Sequence, residues 1–170
     1  MFRPNTMYNE AGPVIESPLA AAESIQDMLL QSWGREIRVF PAVPEEWQEV
    51  SFHNFRAEGA FLVSAVRKEG KISWIRVESL AGEPCRIRAD FAGPVHAAGD
   101  REISVEAEDE NTVKLDLRKG EAAVLYSDEK MPELIIEPLP AERSMMNYFG
   151  ENKPWRLYGI PFAQEEMKNA

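Results

Sequence analysis

The hydrophobic period of this chain changes at Gly34, and that change constrains the fold more than any other feature. Before Gly34, the apolar residues Leu19, Ile25 and Met28 recur at the spacing of one helix face. After it, apolar and polar residues alternate as they do in a half-buried strand. The sequence therefore predicts one amphipathic helix followed by a series of strands.

Local signals set both ends of the predicted helix. Ser17 can cap the first turn, and Pro18 suits the first helical position. Gly34 suits the position just past the last turn, where a left-handed backbone is common. We predict a helix over residues 18–33.

Short strand patterns fill the chain beyond the helix. Residues 61–67 and 72–79 flank the turn at 68–71 and predict a hairpin. Further strand candidates lie at 36–40, 85–88, 95–97, 103–106, 112–117, 121–126 and 134–137. Short strands at this regular spacing predict a mainly β fold, an antiparallel β-sandwich over residues 50–137, with the one N-terminal amphipathic helix packed against it.

We predict three parts along the chain: an N-terminal segment with the helix (1–34), a β-sandwich domain (35–140) and a tail rich in proline and aromatic residues (141–170). We expect the tail to pack on the body, because so many aromatic side chains are poorly accommodated in water. The aromatic residues of the tail are Tyr148, Phe149, Trp155, Tyr158 and Phe162.

The tryptophans allow two interpretations. Trp33 and Trp47 bracket the junction between helix and sheet, and we predict that both are buried and join the two elements. Trp74, Trp155 and Tyr158 are candidates for stacking on sugar rings, with core packing as the alternative. Trp74 is in phase with Ile72 and Arg76 but out of phase with Ile75 and Val77, so we expect it to face outward or to bridge to the helix.

The charge balance excludes some partners. The chain has 19 basic and 29 acidic residues, a net charge of -10. Residues 89–170 hold 9 basic and 17 acidic residues, a net charge of 9 − 17 = -8. Because phosphate binding needs a basic surface, we expect neither nucleic acid nor an anionic membrane as a partner.

The sequence does not identify the cellular compartment of the protein. No apolar run approaches the roughly 20 residues of a membrane span, and the first residues lack the apolar stretch of a signal peptide. We expect one of two cases. Either the chain stays in the cytoplasm, or it is a piece of a longer enzyme that is periplasmic or extracellular.

Side chains that could carry chemistry are few. Cys85 is the one cysteine, which excludes an internal disulfide and a cysteine-built zinc site, and we expect a small core residue rather than a nucleophile. We expect His53 and His96 to lie on the surface or in turns. The acidic run at 106–110 reads as a solvated turn rather than a calcium site. We therefore predict no metal and no cofactor.

Residues 25–47, IQDMLLQSWGREIRVFPAVPEEW, carry a more specific signal. This segment resembles the end of the catalytic domain of glycoside hydrolase family 95, the α-L-fucosidase-like enzymes, which reads I-x-E-M-L-L-Q-S, then G-E-I and L-P-A-L-P-x-x-W. Residues 55–61 are similar to the family's L-R-A-R-G-G-F segment, and residues 79–88 to its S-L-x-G-x-P-C-R-I-R strand. The resemblance covers roughly residues 14–90.

The resemblance implies that the helix is the last one of a catalytic helical toroid and that a C-terminal β domain follows it. It also places Glu16 at the aspartate of the family's D-G-N-F-G-G motif, which holds the catalytic base. Ser17, Pro18 and Ala20 replace two glycines and the asparagine of that motif. The alternative for Glu16 is an ordinary acidic residue at a helix N-terminus, where negative charge is favourable.

Three functional hypotheses follow. The first is a non-catalytic C-terminal module of a bacterial glycoside hydrolase that acts in carbohydrate metabolism as part of a larger enzyme. The second is a stand-alone carbohydrate-binding β-sandwich, with an oligosaccharide as its partner. The third, ranked lowest, is an autonomous enzyme. Under the first, the expected partner is the missing N-terminal toroid domain or a second copy of the chain.

Overall fold

The computed structural model describes residues 16–136, in which one helix precedes ten strands. The elements are α1 Glu16–Leu29, β1 Leu30–Trp33, β2 Glu36–Val39, β3 Val50–Ala57, β4 Phe61–Lys68, β5 Lys71–Ser79, β6 Pro84–Arg88, β7 His96–Gly99, β8 Val105–Ala107, β9 Thr112–Asp116 and β10 Ala122–Tyr126. The chain divides into two compact units, one of residues 24–136 and one of residues 1–23 with 137–170. The first unit holds all ten strands, and the described part of the second is the beginning of α1.

Two five-stranded sheets form the unit of residues 24–136. The first has the order β1-β2-β6-β9-β8, and the second has the order β3-β4-β5-β10-β7. Every strand pair is antiparallel except β2 and β6, which run parallel. The predicted mainly β fold, a sandwich with one helix, is confirmed.

The inner faces of both sheets supply one hydrophobic core. Alternate side chains of each strand point inward, as the pleat requires. The first sheet contributes Ile37, Val39, Ile87, Val113 and Leu115, and the second contributes Val63, Ile75, Val77, Ala123 and Leu125. This core fixes the register of each strand, because a shift of one residue would expose its apolar set.

The hairpin of β4 and β5 forms where the sequence predicts it. Lys68 pairs with Lys71, so Glu69 and Gly70 make the two-residue turn. Both have positive φ, 50° and 72°, as a tight hairpin needs to match the twist of its strands.

The predicted end of the helix is wrong. Residues 18–33 do not form one helix, because α1 ends at Leu29 and Leu30–Trp33 is strand β1, paired with β2. Gly34 and Arg35, with φ of 66° and 61°, form the hairpin turn between them. A left-handed glycine suits a helix end and a hairpin turn equally, which is why Gly34 alone could not distinguish them.

Within the unit of residues 24–136, the predicted packing of the helix holds for Leu29, which packs against the core, and is wrong for Ile25, which is 49% exposed. No helix in the described part of the chain is long and apolar enough to span a bilayer.

The sandwich also begins earlier than the predicted residue 50, because β1 and β2 belong to its first sheet. The prediction of a strand at 134–137 is wrong for residues 134–136, which form no strand.

The sequence analysis did not predict β3, because a register irregularity between Phe52 and Phe55 breaks the alternation of that strand. The division into 1–34, 35–140 and 141–170 stays a prediction, and its third part lies outside the described residues.

Candidate functional site

The outer face of the β1–β2 hairpin gathers an exposed aromatic ring and three polar side chains. Gln31 pairs with Arg38, and Trp33 pairs with Glu36, so all four side chains lie on one face of the first sheet. Their alternation with the inward-facing Ile37 follows from the pleat. We call these four residues the Trp33 platform.

Trp33 is the exposed centre of this platform. The residue is 59% exposed, and the Cζ atom of Arg38 lies 3.7 Å from the ring centroid. The indole Nε1 donates a hydrogen bond to Gln31 Oε1 over 3.4 Å. A guanidinium at this distance attracts the negative face of the ring, a contact worth about 0.5–1 kcal/mol at an exposed site.

Two backbone carbonyls and one carboxylate hold Arg38 in place. Its Nη1 donates to the carbonyl oxygens of Trp33, at 3.0 Å, and Glu36, at 3.4 Å. Its Nη2 lies 2.6 Å from Glu36 Oε1, and Glu36 is almost fully buried. The carboxylate thus fixes the guanidinium, and the guanidinium fixes the indole ring.

A ladder of charged side chains continues from the platform across the outer face of the first sheet. Glu36 Oε2 lies 3.8 Å from Arg86 Nη2, and Arg86 Nε donates to Glu108 Oε2 over 2.6 Å. On the next strands, Lys114 Nζ donates to Glu106 Oε2 over 3.2 Å. The hydrogen bond to Glu108 raises the pKa of the Arg86 guanidinium, which stays protonated. These fixed donors and acceptors can bind a polar ligand.

Glu16, the candidate catalytic base, is the first residue of α1, and it is exposed. That position places its carboxylate at the positive end of the helix dipole. This is the position expected of an ordinary acidic residue at a helix N-terminus. Its role as a base stays a prediction.

The three candidate sugar-stacking residues lie apart from the Trp33 platform or outside the described residues. Trp74 in β5 is only 3% exposed and packs with Val66, Val124 and Ile136, so its ring offers no open face here. Its binding role stays a prediction that would require this cover to open. Trp155 and Tyr158 lie outside the described residues.

The prediction that Trp33 and Trp47 are both buried is wrong. Trp33 is 59% exposed and Trp47 is 40% exposed. Trp33 faces solvent because it shares the outward face of its hairpin with Arg38, not the inward face with Leu30. Sequence reasoning missed the Trp33 platform, although a tight turn at Gly34 flanked by alternating residues was a signal for it.

The other chemistry-bearing residues take the simple roles predicted for them. Cys85 is fully buried in the core, and burial raises the pKa of its thiol to about 12, which confirms the core assignment. His53 and His96 are exposed, as predicted; His53 Nδ1 lies 3.2 Å from Ser64 Oγ. Within residues 16–136 no three histidine, cysteine or acidic side chains form a group that could hold a metal ion.

Comparison with known families places the sandwich. The family described as glycoside hydrolase family 95, C-terminal domain, matches residues 31–125, more than half of the chain. The match begins in β1 and ends in β10, so it covers both sheets and leaves out α1. No curated protein matches this chain.

Proposed function

Because this chain belongs to the C-terminal domain family of glycoside hydrolase family 95, we propose that it is the non-catalytic C-terminal β-sandwich module of a larger bacterial enzyme of the α-L-fucosidase type. A C-terminal domain implies a larger enzyme with an N-terminal domain. In this proposal that domain is the missing helical toroid, and the whole enzyme acts in carbohydrate breakdown.

The observation that carries the proposal is the extent of the family match. The matched residues, 31–125, are those of the β-sandwich, and Glu16 lies before them. Glycoside hydrolysis needs two carboxyl groups on opposite sides of the bond, roughly 5–10 Å apart. Only Glu16 corresponds to the family's catalytic machinery, so the partner acid and the sugar pocket would come from the missing domain.

Two carboxyl groups of the sandwich, those of Asp109 and Glu121, have pKa shifts that do not suit a general acid. A general acid needs a raised pKa at neutral pH. A backbone hydrogen bond from Asn111 lowers the pKa of Asp109, and a hydrogen bond from Arg101 lowers the pKa of Glu121 to about 2. Both shifts run opposite to the one that a general acid requires.

An activity assay on the purified full chain tests this proposal. We expect no turnover of aryl α-L-fucosides or aryl α-galactosides above the buffer rate. The matched variant is Glu16→Gln, which keeps the side-chain size and removes the charge. Turnover by the chain that disappears in Glu16→Gln would make Glu16 a working base and overturn the non-catalytic role.

A second candidate function is a carbohydrate-binding β-sandwich, and the exposure of Trp33 favours it. This function is compatible with the first, because a module that does not catalyse can still bind. A screen of the chain against immobilised glycans separates a binding module from one that serves only its neighbouring domain.

The predicted partner of the module is the toroid domain or a second copy of the chain. The exposed Leu19 and Ile25 of α1 are apolar side chains that either partner could cover. Sedimentation velocity of the purified chain tests the second copy: a dimer that becomes a monomer in Ile25→Lys supports it, and a monomer at all concentrations contradicts it.

A further inference from the structure

The Trp33 platform combines exposure with rigidity, which is unusual for a surface tryptophan. Trp33 is 59% exposed, yet Arg38 lies over one face of its ring at 3.7 Å and Gln31 accepts the indole N–H. Arg38 is fixed in turn by the buried Glu36 carboxylate. A ring held this way loses little rotamer freedom when a ligand stacks on it. The loss of side-chain entropy therefore offsets less of the favourable contact energy.

The charged ladder beside the platform argues against a protein as its partner. The cores of protein interfaces are depleted of charge, and covering ion pairs removes their hydration. Here the neighbouring side chains are Arg86, Glu108, Lys114 and Glu106, all joined in ion pairs. A flat apolar partner would desolvate them, whereas a hydrated ligand that exchanges hydrogen bonds with them would not.

The signs of these charges also indicate a neutral ligand. Around the ring, Glu36 neutralises Arg38, and Glu108 neutralises Arg86. A strongly anionic ligand would have to displace these carboxylates, and a cation would have to displace the guanidinium groups. These two ion pairs therefore offer donors and acceptors whose charges cancel.

A pyranose ring matches this arrangement. One of its faces is rich in C–H groups and can lie on an indole, while its hydroxyls are donors and acceptors at the edge. We propose that the Trp33 platform is a binding site for a neutral oligosaccharide, with one sugar ring on the face of Trp33 opposite Arg38 and a hydroxyl on Gln31 at the edge of the ring. This inference rests on the proposed function, since it makes the module a second carbohydrate contact of the glycoside hydrolase.

Native gels that contain a neutral polysaccharide test the proposal on the full chain. The probes are fucosylated xyloglucan and galactomannan, with a gel free of polysaccharide as the reference. We expect retardation of the chain in at least one of them and an affinity at least about tenfold weaker in Trp33→Gln, as for a central tryptophan contact. The matched control is Trp47→Gln, an exposed tryptophan off the platform, which we expect to bind like the unaltered chain.

Two further measurements keep the outcome decisive. Circular dichroism shows whether Trp33→Gln keeps the fold. If it does not, Gln31→Ala, which removes a rim group and the acceptor of the indole N–H, replaces it, and we expect the affinity to fall several-fold. Retardation by neither polysaccharide, or equal retardation of Trp33→Gln and the unaltered chain, would overturn the proposal. Trp33→Gln that dissociates a dimer, with no retardation of any form, would instead assign this face to a protein interface.

The binding test and the activity test fail independently. Turnover of aryl glycosides by the chain would overturn the proposed non-catalytic function and leave the gel result intact. Loss of the gel result would remove the Trp33 platform as a sugar site and leave the non-catalytic assignment unaffected.

Discussion

Replacing Trp74 by alanine should strongly destabilise the sandwich. Trp74 is 3% exposed, although it stands on the outer face of the second sheet, where it packs with Val66, Val124 and Ile136. The largest aromatic side chains bury up to about 250 Å², and about 25 cal/mol per Å² gives roughly 6 kcal/mol. Compactness of the unfolded chain lowers this value by about 10–40%. The expected loss of unfolding free energy is therefore roughly 3.5–5.5 kcal/mol, close to the usual range for tryptophan truncation.

Urea unfolding followed by circular dichroism measures this loss. With a slope of about 2 kcal/mol per M, the midpoint of Trp74→Ala should fall by about 2 M. The matched control is Trp33→Ala, which removes an exposed ring and one cation–π contact and should cost about 0.5–1 kcal/mol. Equal midpoints for the two variants would refute the reasoning, because burial would then not determine the contribution of each ring.

Three further predictions concern other parts of the sandwich. Cys85 should not react with iodoacetamide in the native chain at pH 8 and should react once urea exposes it, because burial holds its pKa at about 12; a rapid native reaction, followed by mass spectrometry, would contradict this. Arg101 lowers the pKa of Glu121 from 4.5 to about 2, so the stabilisation is complete above about pH 4.5 and is lost as the pH falls toward 2. Thermal melts of Glu121→Gln should depend less on pH in that window than melts of the unaltered chain, and identical profiles would exclude the pair. Gly82→Ala should lower the melting temperature more than Gly34→Ala: both have positive φ, but a Cβ at Gly82 would lie 2.8 Å from a backbone nitrogen and one at Gly34 meets nothing within 4 Å. Equal melting temperatures would mean that the backbone near Gly82 yields without cost.

The family assignment needed only the sequence. The segment at 25–47 and its downstream similarities carried the resemblance to glycoside hydrolase family 95, and the match over 31–125 confirms it. Such patterns persist because turns and buried strands restrict the residue types at each position. The role of Glu16 stays a prediction, because a base is defined by the groups around it.

The sequence by itself also determined the β-rich class and the best-formed hairpin. Alternation over 61–67 and 72–79 predicted the strands β4 and β5, and Gly70 marked the turn between them. These features are local: the period of 2 and the preference of glycine for positive φ act within a few residues.

Tertiary structure decided what local patterns left ambiguous. Leu30 and Trp33 fit both a last helical turn and a strand, and pairing with β2, itself paired with the distant β6, selected the strand. That pairing turned Trp33 outward and brought it beside Arg38. For Trp74 the phase left two alternatives open, an outward position or a bridge to the helix, and contacts with Val124 and Ile136, far along the chain, decided that it is buried. Exposure depends on which segments meet in space, and no periodicity within one strand contains that information.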